Sequence, residues 1–358
     1  WIRKMFEEGA YLKNKYGDEN VFDLSLGNPV MEPPKEFFKQ LQYLASNPKP
    51  GLHRYMPNAG YLETRASIAK QLEREIGLDF DAEDIVMTCG AGGALNITLK
   101  TLLDPEDEVI IFSPFFAEYT FYIQNHNGKY KIVPPDNNFY PDLNALDKAI
   151  SKKTKAILIN SPNNPTGTQL QKNDILSICD QYDGPVLIDE VYSNFGDYSL
   201  VNEITSYDNM ILLHSLSKLG LAGIRIGYML TNPKLANLLK GFVRPYNMNI
   251  HSLGIATKIM NEYDIINDGI QKAKKERKWV KTELDNISNF KAFESKANFH
   301  LIKLTNNVKT FYNQLLKQGI IIRDVSNLNL LENCIRVAVG NRKMNERFLD
   351  VSRDILID

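Results

Sequence analysis

The chain is 358 residues long, with 43% hydrophobic residues, 24% charged residues and a formal net charge of -1; these values sit near the averages for folded globular proteins and leave no electrostatic footprint for nucleic acid or an anionic membrane. The length exceeds what one core usually serves, so a large domain with a smaller companion is expected. Three dispersed cysteines without a CxxC pair, and five histidines without HxH or HxxxH spacing, exclude a disulfide framework and offer no metal-ligand set, which fits a reducing, cytoplasmic setting.

In chain order, "WIRKMFEEGAYLKNKYG" has apolar residues at 2, 5, 6 and 12 and ends at Gly17, the pattern of an amphipathic helix with a glycine stop. The chain opens on Trp1 rather than Met, so residues upstream are expected, a short targeting segment being one option. "VFDLSLGNP" reads as extended and breaks at Gly27 and Pro29. "GYLETRASIAKQLEREI" (60–76) is a helix that terminates at Gly77. Short apolar runs then recur between helical segments, at 84–88, 107–112, 130–133, 154–160, 185–190, 209–214 and 226–230. Several are apolar almost throughout, as strands buried on both faces by helices are, so a mostly parallel sheet is expected over roughly residues 47–247. Beyond it, Asn232 and Pro233 open a helix, and the chain turns helix-rich. The basic run "KAKKERK" (272–278) reads as a solvated helix face. Two strand-like runs, "ANFHLIKL" (297–304) and "CIRVAVG" (334–340), complete a small α+β domain formed by residues 1–46 and 248–358. No apolar run reaches the length of a membrane span.

In open α/β sheets ligands bind beyond the carboxyl ends of the strands, so the residues after each apolar run carry the functional signal. "GAGG" (90–93) leads into a helical pattern whose free amides and dipole favour a phosphate; close packing explains such a turn equally well. It matches neither the P-loop nor the G-x-G-x-x-G spacing. Asp189 closes "VLID", where it either caps the following turn or holds the proton of a heterocyclic nitrogen; Tyr192, three residues on, can point to the same place. Lys218 in "HSLSK" is either a solvated charge or, desolvated near Arg225, an amine of lowered pKa able to form a Schiff base. Ser215, Ser217 and Arg225 are the donors that a phosphate dianion would want.

From "LSLGNP" to "IRVAVG", the order and spacing of these motifs resemble the fold-type I pyridoxal-phosphate enzymes, in particular the class I/II aminotransferases. The resemblance implies an α/β large domain with a mostly parallel seven-stranded sheet covered by helices on both faces, and a smaller α+β domain. It makes Lys218 the covalent cofactor anchor and proton carrier, with Ser215, Ser217 and Arg225 on the cofactor phosphate together with the backbone of Ala91 and Gly92. Phe116 falls where the family stacks an aromatic ring on the pyridine, Asn164 and Tyr192 where it bonds the ring hydroxyl, and Asp189 opposite the ring nitrogen. Tyr55 resembles the tyrosine that reaches the neighbouring subunit's phosphate, which implies a homodimer with shared sites. Gly27 and Arg336 match the substrate-carboxylate site. The implied activity is ping-pong transfer of an amino group from an amino acid to a 2-oxo acid; the same residues also support a decarboxylase or β-lyase. The run 319–346 resembles histidinol-phosphate aminotransferases and threonine-phosphate decarboxylases, so Arg323 is either a contact to a substrate phosphate or a solvated or paired arginine. A non-enzymatic effector sensor fused to a DNA-binding domain is a third reading, against which stands the lack of a basic helix-turn-helix segment.

Overall fold

A computed structural model of the chain describes residues 2–27, 31–47, 50–51, 53–77, 79–136 and 138–357. Helix α1 (Ile2–Tyr16) ends at Gly17, whose φ of 84° only glycine adopts freely. The expected break at Pro29 lies outside the described residues, as does Trp1. Strand β1 (Phe22–Asp23) comes next, then α2 (Lys35–Ser46) and α3 (Leu62–Ile76), the last closed by Gly77 in the left-handed region.

Each of the seven apolar runs forms a strand, in chain order β2 (Ile85–Thr88), β3 (Glu108–Phe112), β4 (Lys129–Val133), β5 (Thr154–Asn160), β6 (Val186–Asp189), β7 (Met210–Ser215) and β8 (Gly227–Leu230). They form one sheet in the order β2-β8-β7-β6-β5-β3-β4. Strands β3 to β7 pair in parallel; β8 runs antiparallel to β7 and β2. The reversal has a local cause. A parallel return needs a crossover of about a dozen residues or more, usually a helix, and the 216–226 connection holds only two tight 3-10 turns. Strands β2, β6, β7 and β8 are buried along their whole length, because helices α4 (Gly90–Leu102), α5 (Glu118–Asn125), α6 (Leu143–Ala149), α7 (Lys172–Gln181) and α8 (Pro233–Lys240) pack the sheet. Asn232 caps α8 by accepting the Leu235 amide, with Pro233 at its first position.

Helices α9 (Ile250–Asn261) and α10 (Asp264–Asp285) lie beyond position 247 in sequence, yet Leu253, Ile259, Ile266 and Ile270 join the same core as the large sheet. The basic run is a solvated face in part: Lys272, Lys275 and Lys278 are exposed, whereas Lys274 and Arg277 are half-buried. Lys274 donates to the Gly196 carbonyl (2.9 Å), and Arg277 donates to the carbonyls of Phe195 and Ala297 (2.9 and 2.8 Å). These long side chains cross the seam between the sheets, so burial lowers both pKa values from their ordinary range.

The smaller sheet is antiparallel, in the order β12-β13-β10-β9, from β9 (Phe290–Ala292), β10 (Phe299–Leu304), β12 (Arg323–Asp324) and β13 (Cys334–Ala338); β11 (Ile320–Ile321) pairs in parallel with β1. Its core, including Leu284, Ile302, Phe311, Ile335 and Phe348, is closed by α10, α11 (Val308–Lys317) and α12 (Arg342–Ile357). Among the described residues no helix is long and apolar enough to cross a membrane.

Candidate active site

The carboxyl ends of β5, β6 and β7 are neighbours, with Asn160 opposite Asp189 and Asp189 opposite Leu213. The turns that leave these three strands therefore face one crevice. After β7 the chain tightens into the turn that carries Lys218. Ser215 Oγ accepts the Ser217 amide (3.1 Å) and donates to Ser217 Oγ (2.9 Å), which holds both hydroxyls at the mouth of the turn. Arg225 sits in the left-handed region (φ 58°) just before β8. Its Nη2 lies 2.8 Å from where a Cβ on Gly90 would be, and a Cβ on Gly227 would come within 2.6 Å of the Gly90 carbonyl carbon. Two glycines thus let the start of β8, the N-terminus of α4 and the guanidinium meet. In the first turn of this 13-residue helix the amides of Ala91 and Gly92 have no intrahelical acceptor, and the helix dipole adds positive potential beside Arg225.

Asp189 is buried at the end of β6. Its Oδ2 accepts the Tyr119 hydroxyl at 2.6 Å and its Oδ1 accepts the Val191 amide at 3.1 Å. Burial pushes its pKa up, opposed by those two donors and by the charges of His214 and Lys218. A buried carboxylate held this way suits a protonated heterocyclic nitrogen as its counter-ion.

The other wall comes from the smaller sheet. Arg336 on β13 is 7% exposed; its Nη1 donates to Asn164 Oδ1 (2.6 Å) and its Nη2 to the Ser25 carbonyl (2.7 Å), while its guanidinium lies over the Phe299 ring at 5.0 Å. Burial lowers its pKa to about 10, far enough above neutrality to leave it charged. Asn164 is itself fixed, its amide donating to Asn160 Oδ1 at 2.7 Å. Lys218 Nζ lies 5.3 Å from the Tyr192 ring centroid and donates to the Gly27 carbonyl at 3.2 Å, and Asn298 Nδ2 donates to the same oxygen at 2.9 Å. A Cβ on Gly27 would fall 3.3 Å from both Tyr192 Oη and Asn298 Oδ1, so position 27 has little room for a side chain. Arg323 stands directly opposite Arg336 in the β12–β13 register.

A cavity of about 190 Å³ runs between these walls, lined by Gly27, Phe116, Asn164, Tyr192, Lys218 and Arg336, all expected from the sequence, and by Arg323. Asp189, Ser215, Ser217, Arg225, Ala91 and Gly92 do not line it; Ser215 pairs with Gly227, which packs on Gly90 beside Arg225, so the serines, the guanidinium and the start of α4 are neighbours. Tyr55 is apart from the cavity: it is 82% exposed and stacks on Tyr246 with centroids 4.0 Å apart. Sequence reasoning missed Tyr119, Asn160 and Asn298. Tyr119 sits in the "PFFAEY" motif at the third position after Phe116, so only the spacing hinted at it. A larger cavity, about 300 Å³, lies beside Glu190, His214, Tyr228 and Tyr263; it lacks Lys218 and the two arginines, and the chemistry is not there.

The donor set fits pyridoxal phosphate: an amine for its aldehyde, a helix N-terminus with an arginine and two serines for its phosphate, and a buried carboxylate for its ring nitrogen. The sequence matches the family described as "Aminotransferase class I and II" over residues 19–351. A histidinol-phosphate aminotransferase of Dehalococcoides mccartyi is 34% identical over 288 residues, covering 80% of this chain and 79% of that protein. Another, from Flavobacterium psychrophilum, is 31% identical over 340 residues, covering 93% and 96%. Among solved structures, aspartate aminotransferase from Thermotoga maritima matches with a TM-score of 0.86 at 25% identity, covering 99% of this chain and 96% of that one. A methionine aminotransferase from Escherichia coli shares the fold at a TM-score of 0.86 and 20% identity, covering 98% and 96%.

Proposed function

The chain belongs to the class I and II aminotransferases, which use pyridoxal phosphate, and from that premise we propose that its amino donor is a phosphorylated amino compound, of which histidinol phosphate is the first to test. The observation that carries this is the Arg323–Arg336 pair. Like charges directly opposite on adjacent antiparallel strands destabilise a sheet, and both side chains line the cavity that holds Lys218. Glu118 already places a negative charge near Arg323; a dianion between the two guanidiniums adds to that compensation, and a guanidinium fork is well matched to phosphate. The relatives named histidinol-phosphate aminotransferase lend the same support.

Pyridoxal phosphate, when bound, supplies an electron sink for the electrons left at the substrate's α-carbon. In this reading Lys218 would hold the cofactor through its amine and, when that amine is free, would carry the substrate's α-proton as general base and acid, a kind of step worth about 10²–10⁴-fold. Asp189 keeps the ring nitrogen protonated. Asn164 and Tyr192 hold the ring hydroxyl, Phe116 covers the ring face, and Gly27 with Arg336 receives the carboxylate of the 2-oxo acid. Ala91, Gly92, Ser215, Ser217 and Arg225 hold the cofactor phosphate.

The same reading makes the protein a homodimer in which Tyr55 reaches the partner's phosphate end. Tyr55 is exposed beside Tyr246, and Phe38, Tyr43 and Leu62 leave further apolar surface on the adjoining helices α2 and α3. Three free cysteines agree with a cytoplasmic enzyme, and the domain division is best drawn within α10, where the core contacts change sheets. The deciding experiment assays amino transfer from histidinol phosphate, other phosphorylated amino alcohols, phosphothreonine and aspartate, with wild type and Arg323→Ala. A KM raised at least ten-fold for phosphorylated donors alone supports the proposal. Equal effects on all donors, or release of carbon dioxide with no amino transfer, overturns it.

A further inference from the structure

Helix α5 carries two tyrosines three residues apart, Tyr119 and Tyr122, a spacing that puts both on one face about 5–6 Å from each other. The first hydroxyl bonds Asp189, the group opposite the ring nitrogen. The second goes to the other end of the site. A Cβ on Gly92 would sit 3.0 Å from Tyr122 Oη and 3.5 Å from its ring carbon Cζ. The hydroxyl therefore occupies the space that a side chain of residue 92 would fill, in the first turn of α4. That turn is where Ala91 and Gly92 present free amides, with Arg225 against Gly90. Tyr122 is half-buried, and its hydroxyl makes no hydrogen bond among the described residues.

We propose that Tyr122 is a cofactor-binding residue, its hydroxyl donating to the phosphate of pyridoxal phosphate from the side that Gly92 leaves open. Burial first, then the charges of Glu118 and Asp189, raise the pKa of this phenol against the pull of Arg225, so it stays protonated and remains a donor. The tyrosine thus supplies the hydroxyl that glycine at position 92 lacks. With Tyr119, one helix face then braces both ends of the cofactor, and α5 is positioned by the same packing that orients Asp189. The proposal rests on the assignment of the α4 N-terminus and Arg225 as the phosphate end.

The test titrates apoprotein with pyridoxal phosphate and, separately, with pyridoxal, which lacks the phosphate. A hydrogen bond to a charged group is worth about one to two factors of ten. Tyr122→Phe is therefore expected to weaken pyridoxal phosphate roughly 10- to 100-fold and to leave pyridoxal within about three-fold. Gly92→Ala, whose methyl displaces the hydroxyl, is expected to show the same selectivity and carries the test should Tyr122→Phe not fold. Unchanged affinity for pyridoxal phosphate, or equal weakening of both ligands, overturns the proposal. Arg225→Ala separates the two levels. If it too leaves the preference for the phosphorylated ligand intact, the phosphate end itself is wrongly assigned; if it removes that preference while Tyr122→Phe does not, only the role of Tyr122 falls.

Discussion

Removing one oxygen, by Tyr119→Phe, tests how the protein holds charge on Asp189. The hydroxyl donates to Oδ2 at 2.6 Å, and both groups are buried. A hydrogen bond to a charged group contributes about 1.5–3 kcal/mol, which is roughly a 10- to 150-fold effect at about 1.36 kcal/mol per factor of ten. The direction is set by the environment. Burial already raises the Asp189 pKa, and the Tyr119 hydroxyl is the first of the groups that oppose it. Without that donor the carboxylate becomes more basic and draws the proton from the cofactor's ring nitrogen, which weakens the electron sink. Turnover should fall about 10- to 100-fold, while KM for the amino donor, which the proposed function assigns to the arginines across the cavity, should change little. The assay pairs steady-state kinetics with the ¹⁵N chemical shift of the bound cofactor's ring nitrogen. A shift toward the unprotonated value is expected. A kcat within two-fold of wild type together with an unmoved ¹⁵N resonance would refute the reasoning, and a general packing defect would lower thermal stability without moving that resonance.

Arg336→Lys keeps a charge but cannot span Asn164 and the Ser25 carbonyl together, so kcat/KM should drop by about 10², chiefly through KM for the 2-oxo acid; a KM within three-fold of wild type counts against the carboxylate role. Lys218→Ala should abolish turnover yet still bind cofactor, and mixing it with Tyr55→Phe should regain a fraction of activity in hybrid dimers, since one of their two sites then has both intact residues; absence of any recovery in verified hybrids would remove Tyr55 from the partner site. Glu83 bridges Arg65 of α3 and Lys240 of α8, which holds its pKa down at about 2. Because the folded pKa is depressed, its stabilisation is full above the ordinary value near 4.5 and is lost as pH falls toward 2. Glu83→Gln should therefore cost roughly 0.5–1 kcal/mol at neutral pH, in keeping with an exposed pair, and nothing near pH 2. A melting-temperature gap that widens on acidification would contradict this.

The family, and with it the cofactor, was legible in short strings. Asp189 and Lys218 close or follow parallel strands, and a residue leaving the carboxyl edge of a parallel sheet has few places to go but the common crevice; Arg225, just before β8, and Arg336, within β13, were legible only through their motifs. Most of the strands could be read because they are buried on both faces, which leaves nearly uninterrupted apolar runs; the edge strand β4 is largely exposed. The basic run at 272–278 was legible only in part: Lys272, Lys275 and Lys278 face solvent, but charge pattern does not report which carbonyls lie within reach of Lys274 and Arg277.

Sequence alone determined the seven strands of the large sheet and the helix stops at Gly17 and Gly77, since these depend on local periodicity and backbone freedom. Tertiary structure alone decided that β8 reverses, that α9 belongs to the large core, that Tyr119 braces Asp189 and that Arg323 faces Arg336. Those relations join residues dozens of positions apart, or depend on register. No local pattern encodes which side chains meet once the sheets close on each other.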